Sequence, residues 1–352
     1  MPEAVKVLIV DDSAYMRVAL KDMISSDANI TVVATAKNGI EGIAQTKRFS
    51  PDVVLLDIQM PRMDGLATLK RIMKEHPTRV VMLSAMDKVD ADLPLRALEM
   101  GAVEFLSKPG GPISVDIVKY RNHIIRTVLD VSGAKIEALQ RSRSPLRLDK
   151  ERLAPREIRD DKLKAIVIAA STGGPRAIEH VFSRLPRDIP AAIFVVQHLP
   201  AVFSESFSRR LDAVKGPRTT LADEGMTVER GHAYVAPGGS HLVLRRRSPS
   251  LTFIALDDSG PVQFVRPSAD VLFRSAAECF RERVMAVVLT GMGMDSVDGA
   301  LAVKAAGGKV LVQDERTSVI FGMPKAVADS GAADVVAALD DIPAQIVRFL
   351  ED

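Results

Sequence analysis

Short apolar segments alternate with helical patterns along both halves of the chain. Residues 6–10, apolar after Lys6, and residues 53–56 have the composition of strands that are buried on both faces. Residues 14–25 and 65–74 place apolar side chains at three- and four-residue intervals, as amphipathic helices do. Because a parallel strand can be reached only through a long crossover, this alternation indicates doubly wound parallel sheets. It predicts an α/β protein.

The second half shows the same alternation of strands and helices and then a segment rich in strands. Residues 164–170, 191–197 and 284–290 are further buried strands. Residues 232–236, and with them 241–245 and 251–256, predict an antiparallel insertion or edge. The fold class expected is therefore two doubly wound parallel-sheet domains, with a short antiparallel β insertion in the second.

Length and charge set the boundaries of this prediction. The 352 residues are enough for two domains, which we place at 1–125 and 162–352. Residues 126–161 predict a helix end and an exposed, charged linker. The net charge of +2 gives no reason to expect nucleic acid as a partner. The single cysteine, Cys279, together with the absence of a signal peptide and of a long apolar run, predicts a cytoplasmic protein without membrane insertion.

Carboxylates follow two strands of the first half. Asp11 and Asp12 come directly after the first strand, and Asp57 after the third. Because parallel strands end at one edge of a sheet, these groups should converge there, and clustered carboxylate oxygens suit Mg²⁺. Ser84 and Lys108 follow the fourth and fifth strands and would supply a hydroxyl and a cation for phosphate oxygens. The set predicts a metal-assisted site for placing a phosphoryl group on a carboxylate.

Roughly the first 125 residues resemble a two-component receiver domain. The motifs that carry the resemblance are Val7-Leu8-Ile9-Val10-Asp11-Asp12-Ser13, Leu55-Leu56-Asp57-Ile58-Gln59-Met60-Pro61, Met63-Asp64-Gly65 and Ser107-Lys108-Pro109. The resemblance implies a flavodoxin-like fold with Asp57 as phospho-acceptor. It also implies that Asp11, Asp12, Asp57 and the Gln59 carbonyl hold Mg²⁺, that Ser84 and Lys108 contact the phosphoryl group, and that Phe105 is the aromatic switch residue.

Ser171 follows the first buried strand of the second half, in a glycine turn that leads into a helix. Small residues there would let a substrate approach, and free N–H groups at the helix start favour negative charge. His198 and Asp295 each follow another buried strand, so all three should meet at one sheet edge. A histidine can take the serine proton while a carboxylate orients the imidazole. The order Ser, His, Asp and the absence of a Gly-x-Ser-x-Gly elbow differ from α/β-hydrolases.

Backbone N–H groups near Thr172 or Met292 are candidate oxyanion donors for such a hydrolase.

The residues alone leave two other functions open for the second half. The same glycine turn could instead cradle a phosphate or nucleotide in a binding module, although the longer phosphate-loop pattern with its lysine is absent. A DNA-binding output domain is the third alternative, and neither the charge nor a helix-turn-helix pattern favours it.

Residues 162–352 resemble the catalytic domain of the chemotaxis protein-glutamate methylesterases. The resemblance implies a Rossmann-like domain in which Ser171 is the nucleophile, His198 the general base, Asp295 its orienting carboxylate and the Met292 amide an oxyanion donor. Where that family usually has glycine after the aspartate, this chain has Ser296, and Asp298 lies close by as a competitor. The matching motifs are Ala170-Ser171-Thr172-Gly173-Gly174-Pro175, Val196-Gln197-His198-Leu199-Pro200, Ala233-Tyr234-Val235-Ala236-Pro237-Gly238, Leu289-Thr290-Gly291-Met292-Gly293-Met294-Asp295, Gln313-Asp314-Glu315 and Phe321-Gly322-Met323-Pro324.

The two resemblances together imply a phosphorylation-activated esterase. It would remove methyl groups from glutamate methyl esters on methyl-accepting chemoreceptors, release methanol through a Ser171 acyl-enzyme, and deamidate receptor glutamines. A chemotaxis histidine kinase would donate the phosphoryl group to Asp57, and the unphosphorylated receiver would inhibit the esterase. Mg²⁺ would serve the receiver domain, and no cofactor is expected for the esterase.

Overall fold

The computed structural model describes residues 3–84, 92–108, 116–141, 163–248 and 251–352. The chain forms two compact units, with described residues 3–141 in the first and 163–352 in the second. The segment 142–162, which contains most of the predicted linker, lies outside the described residues. Within the described parts, no helix is both long enough and apolar enough to cross a membrane.

The first unit is a five-stranded parallel sheet with helices between its strands. The strand order is β2-β1-β3-β4-β5, so the direction of winding reverses between β1 and β3. This is the order of flavodoxin-like domains. The elements are β1 (Val5–Val10), α1 (Ala14–Ile24), β2 (Ile30–Ala36), α2 (Gly39–Phe49), β3 (Val53–Asp57), α3 (Gly65–Glu75), β4 (Arg79–Ser84), α4 (Asp92–Met100), β5 (Glu104–Ser107), α5 (Asp116–Ser132) and α6 (Ile136–Arg141).

The central strands and the helix caps of this unit follow from local chemistry. Every residue of β3 is buried, because helices cover both faces of a doubly wound sheet. The side chains of Asn38 and Asp64 accept hydrogen bonds from N–H groups in the first turns of α2 and α3. These caps begin the helices directly after the strand-end loops, and the loops therefore have fixed positions.

The second unit contains a seven-stranded parallel sheet in the order β14-β13-β12-β6-β7-β9-β8 and a separate antiparallel pair, β10 and β11. Its elements are β6 (Lys164–Ala170), α7 (Gly174–Phe182), β7 (Ala191–Gln197), α8 (Ala201–Ala213), β8 (Arg218–Leu221), β9 (His232–Val235), β10 (His241–Ser248), β11 (Leu251–Asp257), α9 (Ala269–Phe280), β12 (Val284–Val288), α10 (Val297–Ala305), β13 (Lys309–Gln313), α11 (Met323–Asp329), β14 (Val335–Ala337) and α12 (Ile342–Glu351). The α/β fold class and the antiparallel insertion are confirmed.

The prediction that β9 belongs to the antiparallel insertion is wrong. The strand belongs to the main sheet, parallel to both β7 and β8. Its Tyr234 ring stacks on Phe194 of β7 with ring centroids 5.5 Å apart. A four-residue strand is too short for its alternation pattern to reveal its partner.

The topology of the second unit creates a crevice at the middle of its sheet. From β6 the chain first winds to one side through β7, and β12 later pairs on the other side of β6. In open α/β sheets, ligands bind beyond the carboxyl ends of the strands at such a switch point. Ser171 follows β6, and the loop that carries Asp295 follows β12. Both residues therefore lie beside the crevice.

Candidate functional sites

Ser171 lies directly after β6 and is half-buried. Its backbone N–H donates to the Thr290 carbonyl beyond β12 at 3.1 Å, and its carbonyl accepts from Gly174 N–H at 2.7 Å. The two glycines of the turn serve packing: a Cβ on Gly174 would lie 2.0 Å from Gln197 Oε1, and Gly173 has a φ of +78°. The expectation that these glycines leave room for a substrate is thus replaced by a role in holding the turn against β7.

His198 and Asp295 meet at the same edge. The His198 N–H donates to the Ala170 carbonyl at 3.2 Å, which places the histidine beside the end of β6. Its Nε2 lies 2.8 Å from Oδ2 of Asp295, which is 3% exposed. With Nε2 engaged by the carboxylate, Nδ1 is the ring nitrogen that remains to act as a base. The structure thus brings the predicted residues of the triad to one edge.

Asp295 accepts hydrogen bonds that the sequence did not reveal. Its Oδ1 accepts from Ser268 Oγ at 2.6 Å and from Asp270 N–H at 3.2 Å, and its Oδ2 accepts from Ala269 N–H at 2.6 Å. Burial by itself would raise the pKa of Asp295, but the hydrogen bonds from His198, Ser268 and Ala269 outweigh it and hold the pKa below its usual value. Asp295 is therefore held as an anion.

The competing carboxylate, Asp298, is placed elsewhere. Its side chain is 60% exposed and pairs with Arg274 at 2.9 Å. It lies in the first turn of α10, three residues past Asp295. The structure thus supports the choice of Asp295 over Asp298 as the partner of His198.

The loop after β12 packs directly on Ser171. A Cβ on Gly291 would lie 2.9 Å from Ser171 Cβ, so only glycine permits this approach. The Met292 N–H has no hydrogen-bond acceptor within the parts of the chain that are described. Thr172, the other candidate oxyanion donor, is buried, and its carbonyl accepts from Thr290 Oγ1 at 3.0 Å. Thr172 and Met292 thus lie on the two segments that meet at Ser171.

Two buried amide side chains hold these segments, and sequence reasoning assigned no role to either. Gln197, at the end of β7, donates from Nε2 to the Ser171 carbonyl at 3.0 Å. Gln313, at the end of β13, accepts from Thr290 N–H at 2.8 Å. Both residues stand inside the motifs quoted above, and a polar side chain at the end of a buried strand is the signal that could have singled them out.

Ser296, directly after Asp295, has a backbone conformation that suits glycine. Its φ is +108°, in the left-handed region that glycine adopts at low cost. The residue is fully buried, and its Oγ has no hydrogen-bond partner among the described residues.

The acidic site of the first unit forms as predicted. Asp11, Asp12 and Asp57 each offer a carboxylate oxygen, and these oxygens lie within 4.8 Å of one another. Lys108 Nζ lies 2.8 Å from both Asp11 Oδ2 and Asp57 Oδ2. Burial raises the pKa of Asp57, and Lys108 only partly offsets this. The Lys108 amine pairs with only two of the three carboxylates, which leaves excess negative charge at the cluster, and such an oxygen donor set suits Mg²⁺.

The other predicted residues of this unit lie on β4, on β5 and in the loop after β3. Ser84 ends β4, and its carbonyl accepts from Lys108 N–H at 2.7 Å. Gln59 donates its N–H to Asp57 Oδ1 at 3.3 Å, which places the Gln59 backbone beside the acceptor. Phe105 is buried in β5. A cavity of about 340 Å³, lined by Asp12, Gln59 and Asp64 among others, adjoins the cluster.

Comparison with known proteins assigns both units. Residues 166–346 match the family described as CheB methylesterase, and residues 7–116 match the response regulator receiver domain. The protein-glutamate methylesterase/protein-glutamine glutaminase of Pyrococcus horikoshii is 43% identical over 354 residues, which cover 100% of this chain and 95% of the relative. The protein of the same name from Geobacillus kaustophilus is 40% identical and covers 99% of each chain.

A solved structure agrees with the methylesterase match of the second unit. The crystal structure of the Thermotoga maritima CheB methylesterase catalytic domain is 41% identical, with a TM-score of 0.52 over 53% of this chain and 98% of that one. Together with the full-length relatives, this similarity covers the strands and loops that carry Ser171, His198 and Asp295. The chain belongs to the CheB methylesterase family, with a response regulator receiver domain ahead of the methylesterase domain.

Proposed function

We propose that this protein hydrolyses glutamate methyl esters on methyl-accepting chemoreceptors and deamidates receptor glutamines. The observation that carries the proposal is the contact of His198 Nε2 with the buried Asp295 carboxylate, at the sheet edge where Ser171 lies. Relatives of matching length bear the name protein-glutamate methylesterase/protein-glutamine glutaminase, which supports the substrate class.

The chemistry proceeds in two acyl-transfer steps. His198 Nδ1 takes the proton of Ser171 Oγ as that oxygen attacks the ester carbonyl, and Asp295 stabilises the imidazolium that forms. The tetrahedral oxyanion is stabilised by the Met292 N–H together with the N–H of Thr172. Collapse breaks the C–O bond, and the imidazolium protonates the leaving group to give methanol. Water then attacks the acyl-enzyme by the same route and regenerates Ser171. With a glutamine substrate the leaving group is ammonia.

Ser171→Ala tests this assignment. The variant is expected to fold normally and to lose methanol release by at least about a thousandfold, because no other group replaces the nucleophile. The matched control is Ser183→Ala at the other end of α7, which should keep wild-type activity. A serine-directed fluorophosphonate should label the wild type at Ser171 and leave the Ser171→Ala variant unlabelled. Methanol release by Ser171→Ala at the wild-type rate would overturn the proposal.

The first unit is proposed as a phosphoryl-accepting switch. Asp57 would receive the phosphoryl group from a chemotaxis histidine kinase, and Lys108 and Ser84 would contact its oxygens. Asp11, Asp12, Asp57 and the Gln59 carbonyl would hold Mg²⁺, which would neutralise charge on the transferred group. The cluster of three carboxylates, two of them paired with the Lys108 amine, supports this assignment.

Control of the esterase by the receiver completes the proposal. In the unphosphorylated chain the receiver would inhibit hydrolysis, and phosphorylation of Asp57 would release the inhibition. The support for this is the presence of a phosphoryl-acceptor site and an esterase site in one chain, joined by a short segment.

A further inference from the structure

The Asp295 carboxylate occupies the N-terminus of helix α9. Ser268 precedes this helix, but its hydroxyl makes no hydrogen bond to the N–H groups of α9. The hydroxyl donates instead to Asp295, which also accepts from the N–H groups of Ala269 and Asp270. Asp295 thus satisfies helix donors that an N-cap side chain would ordinarily take, and the helix dipole favours its negative charge.

Helix α10 shows the reciprocal arrangement. Its N-cap residue, Ser296, makes no side-chain cap hydrogen bond. The buried Asp270 of α9 accepts from the N–H groups of Ser296 at 3.1 Å and Gly299 at 2.7 Å through Oδ1, and from Gln263 Nε2 at 3.0 Å through Oδ2. Asp295, in the loop before α10, therefore caps α9, and Asp270 of α9 caps α10. These two caps fix the loop that carries Asp295.

We infer that Ser268 is a positioning residue for Asp295, and that Asp270 holds the Asp295 loop against α9. The inference rests on the proposed role of Asp295 beside His198. A carboxylate accepts about four hydrogen bonds, and here Ser268 Oγ, two N–H groups and His198 Nε2 account for four. With every acceptor position filled, the carboxylate has one orientation, which directs Oδ2 to the imidazole.

Ser268 is itself held in place. It is fully buried, and its N–H donates to His241 Nδ1 at 3.0 Å, while His241 Nε2 lies 3.2 Å from the Gly260 carbonyl. His241 is fully buried, and these two contacts give it a structural role. The support for Asp295 therefore extends from α9 to the antiparallel strand β10.

Ser268→Ala in the full chain tests the inference. Loss of one hydrogen bond to a charged group is expected to lower kcat for methanol release about tenfold. KM should stay near its wild-type value, since Ser268 acts through Asp295. The acid limb of the pH–rate profile should move to higher pH, because a carboxylate that loses a donor holds a proton more tightly. Ser268→Gly, made in parallel, removes the same hydroxyl with little penalty at an N-cap position.

Two control variants separate positioning from packing. Ser268→Thr keeps the donor and is expected to keep kcat within about threefold, with the wild-type acid limb. Ser275→Ala removes another buried hydroxyl of α9, one that bonds Leu272 and Leu244, and should lower the melting temperature without moving the limb. An unchanged kcat and acid limb in Ser268→Ala, or an equal shift in Ser275→Ala, would contradict the inference. Asp295→Asn is measured alongside these variants, because wild-type activity in Asp295→Asn would contradict the proposed triad itself.

Discussion

Ser296 follows Asp295 in a backbone conformation that suits glycine. Its φ of +108° is unfavourable for any residue with a Cβ, and its buried hydroxyl has no partner among the described residues. The neighbouring contacts explain why the strain persists, since the Ser296 N–H is held by Asp270 and the preceding residue by α9. The hydrogen bonds that hold Asp295 at the N-terminus of α9 set the geometry of this loop. Ser296 therefore takes a backbone conformation that is unfavourable for serine.

Ser296→Gly is expected to stabilise the second unit. Relief of the strained φ and removal of an unpaired buried hydroxyl outweigh the greater freedom of glycine in the unfolded chain, by about 1–2 kcal/mol in net free energy of unfolding. Thermal or urea unfolding measures the change. The matched control is Ser330→Gly at the end of α11, where φ is −71° and glycine should destabilise. A loss of stability in Ser296→Gly would show that the hydroxyl is bound, for example by a buried water.

At the scale of residues, the sequence predicted which side chains meet at one sheet edge, while their catalytic roles stay predictions. Ser171, His198 and Asp295 follow buried strands, and parallel topology brings such positions to one edge. Ser268 could not be found in this way. Its contact with Asp295 spans 27 residues and depends on how α9 packs beside the β12 loop, while its sequence position at a helix start indicates only an ordinary cap.

At the scale of elements, uninterrupted apolar composition identified the buried central strands. β6, β7 and β12 are buried along their whole length, so their sequences carry no competing pattern. The short edge strands β8 and β14 carry no such signal: four- and three-residue segments with exposed positions resemble loops. The pairing of β9 with β7 joins segments far apart in the sequence, and a four-residue pattern does not reveal it.

Lys108 links three strand ends of the first unit, so its loss is expected to weaken that unit as a whole. It follows β5 and pairs with Asp11 after β1 and Asp57 at the end of β3. Lys108→Met would leave two buried carboxylates without their cation, at a cost of about 3 kcal/mol in free energy of unfolding. Calorimetry of the full chain, with and without Mg²⁺, measures the transition of this unit.

Mg²⁺ should restore much of the stability lost in Lys108→Met, because the cation can bind the acidic cluster of the native state and has little affinity for the unfolded chain. The control is Lys74→Met on the exposed side of α3, which should leave both the transition and its Mg²⁺ dependence unchanged. An unshifted transition in Lys108→Met would refute the expected role of this ion pair. No gain on adding Mg²⁺ would count against the proposed metal site.

At the scale of the whole molecule, one topological rule produces both sites. The acidic cluster lies where the sheet order reverses between β1 and β3, and the proposed triad lies where it reverses between β6 and β12. Each unit therefore has its chemistry at the carboxyl edge of its own sheet. The sites have different donors, an oxygen cluster in one and a serine, histidine and carboxylate in the other, so each can be inactivated by a single substitution that leaves the other in place.

This independence allows a direct test of inhibition by the receiver. A chain of residues 163–352 retains the whole seven-stranded sheet and the triad, and the Thermotoga maritima catalytic domain, crystallised without a receiver, covers 53% of this chain. The shortened protein is expected to release methanol at least about tenfold faster than the unphosphorylated full chain, a difference of about 1.4 kcal/mol in activation free energy. Phosphorylated full chain should approach the same rate, whereas Asp57→Asn should stay at the basal rate under phosphorylating conditions. If the shortened protein is no faster than the unphosphorylated full chain, the receiver does not inhibit the esterase.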